Sequence, residues 1–148
     1  MLGEGGADGR WLRQAIELSR RCPESEHAYS VGAIIVGADG QVLATGYSRE
    51  QDSRDHAEEV ALRKASRLEG ATLYSSLEPC STRASRPRTC TDLILASGIR
   101  RVVFAWREPA LFADCQGAEK LSAAGVTVVE MPELADHVRA VNAHLLGR

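Results

Sequence analysis

Between residues 11 and 22 the apolar side chains of Trp11, Leu12, Ala15, Ile16 and Leu18 recur at three- and four-residue spacing, which draws one apolar stripe along a helix that Pro23 ends. The preceding "MLGEGGADGR" has no apolar segment, so residues 1–10 are expected to form a flexible lead rather than a secretory signal. In "SVGAIIVGADGQVLATGYS" two β-rich runs flank Asp39-Gly40, which predicts strands at 31–37 and 41–47 joined by a tight hairpin turn. Asp55 is placed to cap a helix through "HAEEVALRKASRL" that Gly70 stops. "ATLYSSL" then predicts a third strand, "TDLILASGI" a helix closed by Gly98, and "RRVVFAW" a fourth strand. "DCQGAEKLSAAG" and "VTVVEM" repeat the helix-then-strand unit, and "PELADHVRAVNAHLLGR" closes the chain with an amphipathic helix.

Alternating strands and helices predict an α/β sheet covered by helices, folded as a single domain over 11–148. The 18 basic and 20 acidic residues leave no excess positive charge for a nucleic-acid backbone, so nucleic acid is not an expected partner. No apolar run reaches the ~18 residues of a membrane span. The four cysteines, Cys22, Cys80, Cys90 and Cys115, are too few for a disulfide scaffold, and reduced thiols in a cytoplasmic protein are the expectation.

Three features carry chemistry together. "HAEE" at 56–59 opens a helix, Pro79-Cys80 follows a strand, and Cys90 stands at or near the start of the next helix. A thiolate at a helix N-terminus is stabilised by unpaired N–H groups. The order resembles the zinc deaminase signature, H-x-E followed by P-C-x-x-C, with a longer gap between the cysteines. His56, Cys80 and Cys90 would hold one Zn2+ per chain and leave the fourth tetrahedral position to water, the mark of a catalytic site. Glu58 is then the expected catalytic proton carrier. Residues two apart on a helix point roughly 200° apart, but in the first turn side chains lean toward the N-terminus, so His56 and Glu58 can converge there. Lengthening the cysteine gap to nine residues adds roughly 1 to 1.5 kcal/mol of loop closure, small beside the ~10–16 kcal/mol released by structural zinc.

"HAEEVALRKA", "ATLYSSLEPCSTRASRPRTCTDLILASGIRRVVFAW" and "GAEKLSAAGVTVVE" resemble the deaminase domain of the riboflavin-biosynthesis deaminase/reductase proteins, within the cytidine-deaminase-like superfamily. With "SVGAIIVGADGQVLATGYS" the likeness spans about residues 11–130. It implies a three-layer α/β/α fold with a mixed five-stranded sheet, one catalytic zinc, a small heterocyclic substrate and a homodimer or homotetramer. It also implies that the backbone N–H of Ala57 meets a substrate carbonyl. The chain departs from that family at His27-Ala28-Tyr29, where Pro-Asn-Pro is usual, at Arg49 and Ser53, where His and Gly are usual, and at Arg107-Glu108-Pro109-Ala110. These departures bear on the substrate.

The remaining candidates stay open between two readings. His27 and Tyr29 are substrate-binding residues or parts of a structural loop. Arg83, Arg86 and Arg88 either bind a phosphate or carboxylate of the substrate or form a solvated loop. Glu58 could instead complete a capping box with Asp55. Cys22 and Cys115 are expected as packed or free thiols, His137 and His144 as surface residues, and Trp106 as core or interface. The leading function is zinc-dependent hydrolytic deamination of a pyrimidine-type heterocycle, with the riboflavin-pathway aminopyrimidine ribotide as the best single substrate. The alternatives are a cytidine, guanine or specialised-metabolite deaminase acting without a phosphate, a nucleic-acid-editing deaminase, and a non-catalytic zinc module.

Overall fold

Strand β1 (Gly32–Val36) sends Ala33 and Ile35 to one side and Ile34 and Val36 to the other, and all four are buried, so the strand lies between two apolar layers. The computed structural model describes residues 6–84, 86–107, 109 and 115–146. β1 is antiparallel both to β2 (Val42–Tyr47) and to β3 (Thr72–Leu77), while β4 (Arg101–Trp106) and β5 (Thr127–Glu130) extend the sheet in parallel, in the order β2-β1-β3-β4-β5. On one face Ala33, Ile35, Leu73 and Val102 pack with residues of α2 (Ala57–Lys64), α3 (Cys90–Ser97) and α4 (Gly117–Ala123). On the other, Ile34, Val36, Tyr74 and Val103 pack with α1 (Gly6–Ser19) and α5 (Ala135–Val141). The result is the expected α/β/α arrangement around a mixed five-stranded sheet.

Several boundaries differ from the sequence reading. Residues 6–10 of the expected lead are helical, because Asp8 is anchored: its carboxylate accepts two hydrogen bonds from Arg101, at 2.9 and 2.6 Å, and one from the Tyr74 hydroxyl at 2.7 Å. Residues 1–5 of that lead lie outside the described residues. α1 closes at Ser19, before Pro23. The hairpin turn is three residues long, with Gly40 N–H donating to Gly37 O and Gly37 N–H to Gln41 O, and of Asp39 and Gly40 only the glycine has a positive φ, +83°. α2 stops at Lys64 rather than at Gly70. Lys64 is held there by Thr45 O and Glu50, Ala65 turns extended, and Ala65 and Leu68 lie against the core.

The last helix is interrupted at Asn142, between α5 and α6 (Ala143–Leu146). Asn142 is fully buried; its Oδ1 accepts the Ser30 N–H at 2.7 Å and its amide donates to Ser30 O at 3.2 Å and Val138 O at 3.1 Å. One side chain thus completes the backbone hydrogen bonding of the segment that enters β1.

α2 sits close on the sheet because Gly46 of β2 has no side chain. A Cβ there would come within 2.4 Å of Ala57 O and 2.7 Å of Ala61 N. Gly46→Ala is therefore expected to cost about 1–3 kcal/mol through overpacking, read as a lower urea midpoint. A second test concerns acid. The Arg101 hydrogen bonds hold the Asp8 carboxyl below its ordinary value of 3.8, so its stabilising contribution is full above the unfolded value and disappears as pH falls through the folded one. Asp8→Asn should be less stable than wild type near pH 7, with the difference shrinking as pH is lowered below about 4 in chemical denaturation series.

Candidate metal centre and cavity

The C-terminal end of β3 faces the first turns of α2 and α3, and the candidate ligands come from these three places. His56 is the residue capping α2; its N–H donates to the Glu59 carboxylate at 3.2 Å. Glu59 therefore fills the reciprocal capping position that the sequence had left open for Glu58. Asp55 does not cap the helix either: its carboxylate accepts the N–H groups of Gln51 and Asp52 in the preceding turn. Thr89 caps α3 in a reciprocal pair with Asp92, at 3.1 and 3.2 Å, which fixes Cys90 at the first helical position.

Cys80 is bound to that same turn. Cys90 N–H donates to Cys80 Sγ at 3.2 Å, and Thr91 N–H donates to Cys80 O at 3.1 Å. Gly117 lets α4 close over the other side, since a Cβ there would lie 1.9 Å from Pro79 O. The Cys115 thiol donates to the same carbonyl at 3.2 Å. Cys22 donates to Val31 O at 3.5 Å, and no cysteine is in a disulfide.

His56 Nδ1 lies 3.5 Å from Cys80 Sγ and 3.4 Å from Cys90 Sγ, and the three ligand atoms lie within 4.8 Å of one another. Nitrogen at 2.0–2.1 Å and sulfur at 2.3 Å from one tetrahedral zinc stand about 3.5 Å apart. The donor set and its spacing thus fit zinc. Without a metal the two thiols share a proton: a hydrogen bond from Cys90 brings the Cys80 thiol down to about 4, while the same bond and burial push Cys90 up. Burial works against a charged His56, but the hydrogen bond and charge of Cys80 outweigh it and raise its pKa.

Glu58 is buried beside this cluster, and burial, reinforced by the Cys80 charge, raises its carboxyl above the ordinary range. The Ser75 hydroxyl lies 3.0 Å from Glu58 Oε2 and 2.7 Å from Leu77 O. It has one hydrogen to give. When that hydrogen goes to Leu77, the Ser75 oxygen can accept from a neutral Glu58 carboxyl.

A cavity of about 360 Å³ opens onto the cluster and is lined by His56, Glu58 and Cys80 together with His27, Tyr29, Arg49, Ser53, Arg54 and Arg83. Its size suits a small heterocyclic ligand. His27 and Tyr29 are brought to the cavity, and Tyr29 meets Trp106 edge-on with ring centroids 5.8 Å apart. Ala57 is buried at the first position of α2, between His56 and Glu58, which both line the cavity. Trp106 packs against both apolar clusters. His137 flanks a separate shallow groove beside α1, and His144 is 2.9 Å from Ser25 O.

The three loop arginines divide. Arg83 is almost wholly buried, 2.8 Å from Glu59 and donating to Arg54 O. Arg86 lies against Asp52, Asp55 and Glu59. Arg88 is exposed, and neither it nor Arg86 lines the cavity. Arg83 and Arg86 thus tie the loop between the cysteines to the start of α2, while Arg88 stays in solvent. Sequence reasoning did not assign Arg54, Ser75 or Glu78 to this region. Glu78 is buried on the cavity wall and accepts the Ala118 N–H at 3.0 Å. Its place beside Pro79-Cys80 was the available signal. Arg49 and Ser53, both departures from the riboflavin-type pattern, line the cavity; Arg107 instead pairs with Glu119 and Glu130, and Glu108 and Ala110 lie outside the described residues.

A three-layer α/β/α domain with a His-Cys-Cys centre at the end of its central strand defines a zinc-binding protein of the deaminase type. The chain belongs to the family defined by the cytidine and deoxycytidylate deaminase zinc-binding region, whose profile matches residues 6–106. It is 40% identical over 126 residues to the diaminohydroxyphosphoribosylamino-pyrimidine deaminase of Schizosaccharomyces pombe, covering 81% of this chain and 31% of that protein. It is 39% identical over 123 residues to the riboflavin biosynthesis protein RibD of Aquifex aeolicus, covering 82% and 34% respectively. Among solved structures, the Thermotoga maritima diaminohydroxyphosphoribosylaminopyrimidine deaminase/5-amino-6-(5-phosphoribosylamino)uracil reductase superposes with a TM-score of 0.80 at 32% identity, over 95% of this chain and 40% of that one. The chain spans about a third of the length of these two curated relatives.

One zinc per chain is expected on elemental analysis. Cys80→Ser and His56→Ala should each lower zinc affinity by more than the roughly 10- to 100-fold seen for groups that only orient a ligand, measured by competition with a chromophoric chelator. Affinity should also fall as pH is lowered, because protons compete for the sulfur and nitrogen donors.

Proposed function

We propose that the protein is a zinc-dependent hydrolytic deaminase whose substrate is the riboflavin-pathway diaminohydroxyphosphoribosylaminopyrimidine named for its relatives. The observation that carries this reading is the convergence of His56, Cys80 and Cys90 beside a buried Glu58 on the wall of a cavity sized for a small heterocycle. His56, Cys80 and Cys90 hold the metal, and zinc bound there supplies hydroxide at neutral pH by acidifying water. Glu58 takes up the proton released from water. It gives that proton to the ring nitrogen next to the reacting carbon as the water oxygen bonds to that carbon, and then carries the second proton, from the added hydroxyl, to the departing amine. The exocyclic C–N bond breaks, a ring carbonyl is left and ammonia leaves.

The environment of Glu58 supports this role. Burial and the Cys80 charge favour its neutral form, while His56 and Ser75 favour the charged form, and a group balanced in this way can both accept and return a proton. The Ala57 N–H, one of the first-turn donors of α2 without an intrahelical acceptor, is assigned to the substrate carbonyl in this reading. Tyr29 and His27 line the same cavity.

No helix among the described residues is long and apolar enough to cross a membrane. A cytoplasmic location and a homodimer or homotetramer belong to the same reading, and sedimentation velocity decides the assembly.

Ammonia release by zinc-loaded protein is expected with the aminopyrimidine ribotide. Glu58→Gln should lower kcat by roughly 10²- to 10⁴-fold while one zinc per chain is retained. Equal ammonia release by wild type and this variant would sink the assignment.

A further inference from the structure

The charged groups of the cavity wall are matched by opposite charges, with one exception. Arg54 lies 3.2 Å from Asp52, Arg83 lies 2.8 Å from Glu59, Asp55 is paired with Arg63 and Arg86, and Glu78 lies 3.7 Å from Arg107. Glu58 lies with His56 in the metal centre. Arg49 is different: among the described residues no carboxylate lies within ion-pair distance of it. Its partners are all neutral. Nε donates to Pro23 O at 3.0 Å, Nη1 to Tyr29 O at 3.2 Å, and Nη2 to Pro23 O at 2.7 Å and Ser30 Oγ at 3.0 Å.

A guanidinium has five N–H hydrogens. These bonds engage four of them, which leaves one on Nη1. The bonds also fix the plane of the group, so the remaining donor and the charge are held in place with no side-chain freedom left to lose on binding. Burial pushes the Arg49 pKa down from its ordinary value, the signature of a charge partly removed from water, yet an arginine remains charged at any physiological pH.

The backbone is also constrained at this position. Arg49 is the one non-glycine residue described with a positive φ, +60°, and its N–H donates to Asp55 O at 2.9 Å, one residue before His56. A left-handed conformation is unfavourable for a residue with a side chain, and it persists where surrounding structure imposes it, commonly at ligand sites. Here it directs a long cation back over the segment that carries His27 and Tyr29.

We propose that Arg49 is the residue by which this cavity selects a phosphate monoester over the same heterocycle without its phosphate. The inference rests on the aminopyrimidine reading and deepens it: the anion anchor is placed on the loop between β2 and α2, not on the loop between the cysteines, whose Arg83 and Arg86 already face carboxylates. A phosphate seated there accepts the remaining Nη1 hydrogen and supplies the missing counter-charge. Arg49→Gln keeps an amide donor and removes the charge, whereas Arg49→Lys keeps the charge and removes the fork.

The test is a binding titration, which needs no turnover. 5-Amino-6-(5-phosphoribosylamino)uracil and its dephosphorylated form are titrated calorimetrically into zinc-loaded wild type, Arg49→Gln, Arg49→Lys and Arg88→Gln, with thermal melting to confirm that each variant is folded. Wild type and Arg88→Gln are expected to prefer the phosphorylated form. Arg49→Gln should lose roughly tenfold to hundredfold in affinity for that form, with the dephosphorylated form unchanged, and Arg49→Lys should regain part of the preference. Equal loss for both ligands in Arg49→Gln would overturn the proposal and leave Arg49 as a strut for the Pro23–Ser30 segment. No phosphate preference in wild type, or its loss in Arg88→Gln, would overturn it too. Should Arg49→Gln not fold, Arg49→Lys is read instead: a phosphate preference weaker than that of wild type, with the dephosphorylated form bound normally, supports the proposal, and an undiminished preference overturns it. Failure of the catalytic reading would appear separately, as tight binding of the uracil ribotide by a protein that releases no ammonia from the aminopyrimidine ribotide.

Discussion

Burying sulfur that must carry negative charge is the constraint to which the architecture around the site answers. Cys80 and Cys90 are both sequestered from solvent, and a thiolate in such a place needs donors and positive charge close by. The backbone supplies them. Cys90 N–H, at the start of α3, points at Cys80 Sγ, and the ring of His56, at the start of α2, faces both sulfurs. Two helices must therefore begin at the same end of β3, on the same face of the sheet. Because β2 and β3 are each antiparallel to β1, they run in the same direction, so α2 leaving β2 and α3 leaving β3 both start at that end of the sheet.

The long loop between the cysteines becomes part of this solution through charge. Asp55 and Glu59 stand on either side of His56 in the chain, and each is held below its ordinary pKa by hydrogen bonds from arginines or backbone donors against the cost of burial. Arg83 and Arg86 reach back from the loop to these two carboxylates. The two ligand-bearing segments are consequently joined by ion pairs as well as by the ligand cluster. Arginine suits this task, because a planar fork can bridge two acceptors while losing little further freedom.

Much of this was legible in the sequence because it depends on local periodicity and local spacing. β-rich runs marked β1, β3 and β4, and the His-x-Glu and Pro-Cys segments marked the metal centre. What could not be read depended on partners far along the chain. The helical state of residues 6–10 rests on Asp8 meeting Arg101, 93 residues away. The fate of Arg83 and Arg86 rests on acceptors 24 and 31 residues away. The capping role passed from Glu58 to Glu59 by a shift of one residue in where α2 begins, a distinction finer than a helical pattern resolves. Arg49 stood out in the sequence only as a substitution; its neutral partners and its backbone angle belong to the folded chain alone.

The Asn142 amide has a consequence in time as well as in space. Its two bonds to Ser30 span 112 residues, so the segment leading into β1, which carries Tyr29 and accepts the Arg49 guanidinium, is closed by a group near the end of the chain. Contacts of such separation form late, after the loop they close has been ordered by other means. During synthesis the metal ligands, the last of them Cys90, are available well before residue 142 emerges, whereas β5 (Thr127–Glu130) precedes it only by a short segment. The Tyr29 side of the cavity is therefore the last part of the site to be set, and a ribosome-bound chain would carry its sulfur ligands before that side is closed.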